Sequence, residues 1–185
     1  ITMLGGLNTH TQIDSHQRDK ALWRALGGLN VMTQVGADTI TSLLGGGGNV
    51  LTKMGEGDLS SIMLGGANII THISNNKIKS NTYTITLGGL NILTKKGQGD
   101  ILAIMGGGGN VLTHIGNGNI HGVMLGGANI LTKVGNGDLS GIMLGIGNVL
   151  THVGDGQTLG IMGAVGNIFT KVGNGTSMGA MVGGG

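Results

Sequence analysis

The feature that most constrains this chain is an asparagine followed three residues later by a threonine, returned at near-constant spacing along its whole length. The asparagines are Asn8, Asn30, Asn49, Asn68, Asn91, Asn110, Asn129, Asn148 and Asn167. The threonines are Thr11, Thr33, Thr52, Thr71, Thr94, Thr113, Thr132, Thr151 and Thr170. The period is 19 residues, except for 22 between Asn8 and Asn30 and 23 between Asn68 and Asn91. A fixed period of this length marks stacked units that cannot bury their apolar faces alone. Each unit holds two short apolar runs, such as NILTKV at 129–134 and DLSGIML at 138–144, separated by glycine-rich corners. Short runs rich in β-branched residues and bounded by glycine read as strands. The expected fold is therefore all-β: a repeat β-solenoid or β-roll with two short strands per 19-residue rung. Rungs about 4.8 Å apart would make a rod roughly 40 Å long. A 38-residue rung built from a duplicated pair is the alternative.

Composition agrees with stacking in place of an ordinary core. Among 185 residues there are 42 glycines, no proline, no cysteine, and one each of Trp, Tyr and Phe. Disulfides cannot staple the fold, so backbone ladders and aliphatic contacts must hold it. Glycine suits both corners, where the chain turns sharply with φ > 0 and rungs stack backbone on backbone. Asparagine suits them too, and can hydrogen-bond its copies above and below, so a structural ladder is expected from Asn30 to Asn167, with the threonines Thr33 to Thr170 as a second column.

The extra residues fall in two insertions. HTQIDSHQRDKALWRAL, at 10–26, is the only helix-like text, and predicts a short helix near residues 15–26 with Ser15 as N-cap and Gly27 and Gly28 as its stop. With Trp23 and the densest charge, residues 1–26 read as an irregular first repeat carrying a capping or docking element, and 27–185 as the solenoid, interrupted at about 74–86. The chain starts at Ile1 with no signal-peptide pattern, as expected for a piece of a longer protein, and no apolar run is long enough for a transmembrane helix.

Period-two alternation puts Ile130, Thr132 and Val134 on one face of their strand and Asn129, Leu131 and Lys133 on the other. An unpaired buried lysine is expensive, so the lysine face is expected outside. After each threonine comes Gln12, Gln34, Lys53, His72, Lys95, His114, Lys133, His152 or Lys171. A 19-residue rung would place a neutral histidine between lysines in this row and keep like charges from stacking directly. The same parity sends Leu51, Ile70, Leu93, Leu112, Leu131, Leu150 and Phe169 outward. A second apolar row comprises Met63, Met105, Met124, Met143, Met162 and Met181, with Gly122, Gly141, Gly160 and Gly179 two positions earlier. A continuous exposed stripe implies lateral packing or a membrane. Alternatively, and more naturally for the methionines, both rows are core between two closely apposed sheets.

Catalysis and ligand binding find little support. There is no GxxxxGK[ST] and no converging acid, base and nucleophile, so neither an enzyme nor a small-molecule substrate is expected. Ladder histidines two rungs apart, roughly 10 Å, are too distant to share zinc. GNGDLSGIM superficially suggests the calcium-binding nonapeptide of β-rolls, but the recurring acid at Asp58, Asp100 and Asp138 becomes Asn119, Gln157 and Thr176 elsewhere. With eight acidic residues in all, no regular calcium stack and no cofactor is expected, and turn formation accounts for the Asp and Asn. A net charge of +2 without clustered base or stacking aromatics points away from nucleic acid. Thr132 and its counterparts, placed on the inner face, do not match the outward Thr-x-Thr arrays of ice-binding solenoids.

The repeated GGANILTKVGNGDLSGIMLGxGNVLTHVGDG, from about Gly27 to Gly185, resembles the 19-residue glycine-rich repeats flanking the effector domains of multifunctional autoprocessing repeats-in-toxin (MARTX) toxins of Gram-negative bacteria. Spacing, NxxT core, GxG corner and Lys/His alternation carry the resemblance together. It implies a structural arm of a secreted toxin, extracellular and then at the host plasma membrane, where it contacts lipid and assists pore formation and effector translocation. Its partners would be membrane lipid and other repeats, of the same chain or another copy. The family's calcium nonapeptides belong to a different region. From another class, a rigid extracellular spacer or adhesin stalk without membrane activity fits the same text.

Overall fold

The computed structural model describes residues 1–14 and 20–183. The strands in chain order are β1 (Thr2–Leu4), β2 (Leu7–Ile13), β3 (Lys20–Val35), β4 (Thr39–Met54), β5 (Leu59–Ile73), β6 (Thr82–Leu87) and β7 (Leu90–Lys96). They continue as β8 (Ile101–Ile115), β9 (Ile120–Val134), β10 (Leu139–Val153), β11 (Thr158–Gly163), β12 (Gly166–Val172) and β13 (Ser177–Val182). All pairings are parallel, within one continuous 13-stranded sheet wound into a β-solenoid of about nine turns. Each rung has two arms, and in the 15- and 16-residue strands both belong to one strand that bends at a glycine pair, or at Gly145 and Ile146 in β10. In β9 the arms are 120–125 and 128–134, joined at Gly126 and Gly127; Gly135 and Gly137 then form the GxG corner that leads to β10.

Register fixes the rung at 19 residues. Asn110, Asn129 and Asn148 are direct neighbours, as are Leu112, Leu131 and Leu150. The 38-residue alternative would pair every second asparagine, and is excluded. Both insertions open at the GxG corner and leave the glycine-pair corner untouched. Asp14 and Lys20 line up with Gly36 and Thr39, and Ser74 and Ser80 with Gly97 and Gly99.

The alternation holds, but the inside and the outside are exchanged. Asn129, Leu131 and Lys133 face the interior, while Ile130 and Val134 are 39% and 41% exposed and Thr132 is half-buried. The cost of a buried lysine was the reason to place that face outside. The fold lowers it at Lys53, Lys133 and Lys171 by presenting main-chain carbonyls to the ammonium group. The leucine row thus joins the methionine row in one core between the two arms. Large and small alternate across it: a methyl group on Gly122 would lie 2.9 Å from Leu131 Cδ1, and one on Gly160 2.8 Å from Phe169 Cε2.

The predicted helix is not formed over residues 20–26, which belong to β3 and pair with both β1 and β4; its first part, 15–19, lies outside the described residues. Pairing on both sides outweighs the helical propensity of KALWRAL, because a helix there would leave β1 without a partner and the first arm of β4 paired on one side only. Trp23 is a core residue, 1% exposed, with its ring edge-on to His10 at 5.2 Å. Residues 1–14 already form a rung in register with β3, with Asn8 opposite Asn30.

The two corners use glycine differently. The GxG corner needs left-handed φ, as at Gly135 (136°) and Gly137 (126°), whereas at the glycine-pair corner only Gly183 (128°), in the last rung, has a left-handed φ among the described residues. There the requirement is closeness: a Cβ on Gly126 would sit 1.7 Å from the Gly107 carbonyl oxygen. The expected φ > 0 at both corners therefore holds at the GxG corner and, at the other, only in the last rung.

Candidate functional surface

The asparagine column lies inside, beside the glycine-pair corner. Each amide donates to the next along the rod: Asn8 to Asn30 at 2.8 Å, Asn49 to Asn68 at 2.9 Å, Asn110 to Asn129 at 2.8 Å, Asn148 to Asn167 at 3.0 Å, with the intervening links alike. The second N–H of the same amides goes to the carbonyl just before the next rung's glycine pair, as from Asn110 to Leu125 and from Asn129 to Leu144, both at 3.1 Å. These side chains therefore satisfy backbone at the corner as well as one another.

The threonine column, Thr33 to Thr170, is in register on the outer face of the second arm, not on the inner face. That removes one objection to an ice-binding array, yet the column is a single threonine flanked by aliphatics rather than a Thr-x-Thr pair.

At the other end of the interior, beside the GxG corner, lysine and histidine alternate in direct register as Lys53, His72, Lys95, His114, Lys133 and His152, all fully buried. They hold the corner through its carbonyls. Lys53 Nζ donates to Gln34 Oε1 and Glu56 O, both at 2.8 Å; Lys133 Nζ donates to Gly116 O at 3.2 Å, and His114 Nε2 to Gly97 O at 3.1 Å. Lys171 Nζ donates to Gly154 O. Lys95, whose preceding rung carries Ser74 in place of the corner glycine, has no hydrogen-bond partner among the described residues. Burial pulls Lys53, Lys95 and Lys133 down to about 8, against nearby carboxylates: Asp38 and Asp58 for Lys53, Asp58 for Lys95, Asp100 for Lys133. Burial likewise lowers His72 to about 2 and His114 to about 4, reinforced by the lysines above and below, and pulls His152 down. The row thus separates its ammonium groups with neutral imidazoles.

Two of these histidines are matched by a feature that repeat-by-repeat reading overlooks. The column opposite is Ile40, Leu59, Ile101, Ile120 and Leu139, but it becomes Thr82 and Thr158 where Thr82 Oγ1 meets His72 Nδ1 at 2.7 Å and Thr158 Oγ1 meets His152 Nδ1 at 2.6 Å. His152 also donates from Nε2 to Gly135 O, so its Nδ1 accepts the Thr158 hydroxyl proton. The paired appearance of Thr against His was the available signal that this face turns inward.

Charge is confined. All seven acidic side chains among the described residues, Asp14, Asp38, Glu56, Asp58, Asp100, Asp138 and Asp155, lie in the GxG corner. Several carry structural bonds there: Asp100 Oδ1 accepts the Asn119 N–H, and Asp138 Oδ1 that of Gln157, each at 2.9 Å. Among the described residues no group of three or more His, Asp or Glu is arranged to hold a metal ion. Both outer faces are nearly uncharged and mainly apolar instead. One presents Val or Ile, Thr, then mostly Val or Ile; the other presents residues such as Leu102, Ile104, Leu125, Ile142 and Leu144, between 38% and 49% exposed.

Seven segments, 45–60, 63–77, 87–101, 105–121, 124–140, 143–160 and 162–179, match the model of the RtxA repeat, together well over half of the chain. The chain belongs to the RtxA repeat family. RTX repeats occur in secreted bacterial toxins, which makes this a toxin-associated, extracellular structural repeat. Comparison with curated proteins and with solved structures finds no match. Within the RtxA repeat, the asparagine and the glycine pair build one corner, and the lysine or histidine and GxG build the other.

Proposed function

We propose that this RtxA repeat solenoid is a non-catalytic arm of a secreted toxin of the MARTX kind, which contacts the host plasma membrane and assists translocation of effector domains. The observation that carries the reading is the apolar exterior. The leucine and methionine rows are buried up to the last rung, where Phe169 is half-buried and Met181 is 53% exposed, and supply little membrane surface, but the Val/Ile and Ile/Leu columns run along both outer faces. Such surface exceeds what a soluble monomer ordinarily shows, and the asparagine, lysine and ladder histidine side chains that would most oppose lipid are turned inward, leaving mainly threonine among the aliphatics. Arms of six or seven residues are too short to cross a bilayer as barrel staves, which take about 9 to 11. A pore on this reading needs several arms together.

The rigid spacer is the second reading, favoured by the continuous asparagine chain from Asn8 to Asn167, which stiffens the stack whatever surrounds it. Flotation of the purified fragment with liposomes, with dye leakage in the same tubes, separates the two. The membrane arm predicts flotation with leakage in calcium and in chelator alike. A folded, β-rich fragment that stays at the bottom in both buffers leaves the spacer.

A further inference from the structure

The rod has two unlike long edges. Along the GxG corner lie all the described acids, the insertion lysines Lys77 and Lys79, and just inside it the buried Lys/His row. Along the glycine-pair corner there is no charged residue: 26–29, 45–48, 64–67, 87–90, 106–109, 125–128 and 144–147 contain only Gly, Ala, Leu and Ile. The outer faces between the edges carry charge only at Arg24, half-way up the second rung, and Lys96, next to the GxG corner; their neutral polar groups are the threonine column on one face and, close to the GxG corner on the other, Thr41, Ser60, Tyr83, His121 and Ser140. The molecule is amphipathic across its width rather than from face to face.

We infer, building on the membrane reading, that the rod enters lipid edge-on, with the glycine-pair corner leading, both outer faces in hydrocarbon and the GxG corner in water. A corner is ordinarily the last part of a β-structure to tolerate lipid, because turns leave peptide groups unpaired. Here the rungs bond to one another through the bend, for example Leu29 N–H to Gly6 O and Gly109 N–H to Gly89 O at 3.0 Å, and Gly88 N–H to Gly106 O at 2.9 Å. The buried asparagine amides bond corner carbonyls from inside as well, as Asn91 does Gly106 O at 3.0 Å, the oxygen that also accepts the Gly88 N–H. Main-chain groups on both sides of the bend are therefore paired before lipid is met. The arms are about 20 Å long at roughly 3.3 Å per residue, slightly more than one leaflet's hydrocarbon, about 15 Å. The GxG edge then falls at the headgroups, where Asp100, Asp138 and Lys79 keep water. Lying flat would bury only one apolar face and leave the other wet.

The absence of cysteine from the sequence allows single-site labelling. Ala128→Cys at the glycine-pair corner, Ile142→Cys and Val149→Cys on the two outer faces, and Asn76→Cys in the insertion would each carry an environment-sensitive fluorophore on the whole fragment, with phosphatidylcholine vesicles as the probe. Edge-on entry predicts blue-shifted emission at 128, 142 and 149, quenched by spin-labelled lipid and shielded from iodide, while position 76 stays aqueous and iodide-accessible. Flotation with only one of positions 142 and 149 in lipid shows a rod lying flat and overturns the inference while leaving membrane contact standing. Flotation with position 76 in lipid and 128 in water overturns it in the same way. No flotation of any labelled, β-rich fragment overturns both.

Discussion

Gly126 and Gly147 belong to neighbouring rungs at the same corner, yet a methyl group would meet opposite surroundings. At Gly126 it would penetrate the Gly107 carbonyl, 1.7 Å away, with the Asn110 amide nitrogen at 2.8 Å; at Gly147 nothing lies within 4 Å, and φ is not left-handed. Gly126→Ala is therefore expected to destabilise by at least about 3 kcal/mol through forced separation of two rungs. Gly147→Ala should stay within about 1 kcal/mol of the parent, on the stabilising side, because alanine restricts the unfolded chain. Urea midpoints of the two variants check the pair, and equal losses would remove close stacking as the reason for the glycine pair. At this scale the sequence is informative about which residues recur, but not about why. A recurrent glycine is the same letter whether it serves a left-handed φ, as Gly135 does, or a close approach, as Gly126 does.

At the scale of the arm, the strands, their period and the 19-residue rung follow from the spacing of Asn and Thr, since a parallel in-register stack repeats one environment per column. Which face turns inward does not follow, because alternation defines two faces without naming either. Lysine appeared to decide the matter, and misled, because isolated burial is costly but burial against corner carbonyls such as Gly116 O is not isolated. The better signals were pairwise: Gly122 across from Leu131, and Thr158 across from His152. Likewise the helix-like KALWRAL yields to pairing with the rungs on both sides. The buried row makes stability depend on pH. His72 and His114 titrate lower when folded than the ordinary 6.5, so as pH falls below about 6.5 the unfolded chain takes up protons that the folded one refuses, and stability drops. Each such histidine contributes about 1.4 kcal/mol per pH unit, down to about 4 for His114. The buried lysines act at the other end, where stability rises between about 8 and 10.5 as the unfolded chain holds protons longer. Denaturant titrations from pH 7 to 4.5 should show a falling midpoint, and His114→Gln should flatten that limb. A midpoint independent of pH over that range would contradict neutral buried histidines.

The whole molecule is a thin two-armed rod whose polar chemistry is internal and whose exterior is largely aliphatic. Most globular domains reverse that arrangement, and the inversion has a local cause: asparagine at one corner and lysine or histidine at the other are used to bond main chain, which fixes them inside and sends the alternating Val, Ile and Thr out. The membrane role rests on that exterior, so the most direct measurement compares neighbouring residues on opposite sides of one strand. Ile130→Cys and Leu131→Cys, otherwise identical fragments, would be treated with a water-soluble maleimide with and without phosphatidylcholine vesicles. The account predicts free reaction at position 130, strong protection at 131 in buffer alone, and loss of reactivity at 130 once vesicles are added. Protection at 130 with reaction at 131 would contradict the fold's inside and outside, and unchanged reactivity at 130 with vesicles would contradict contact between this face and lipid.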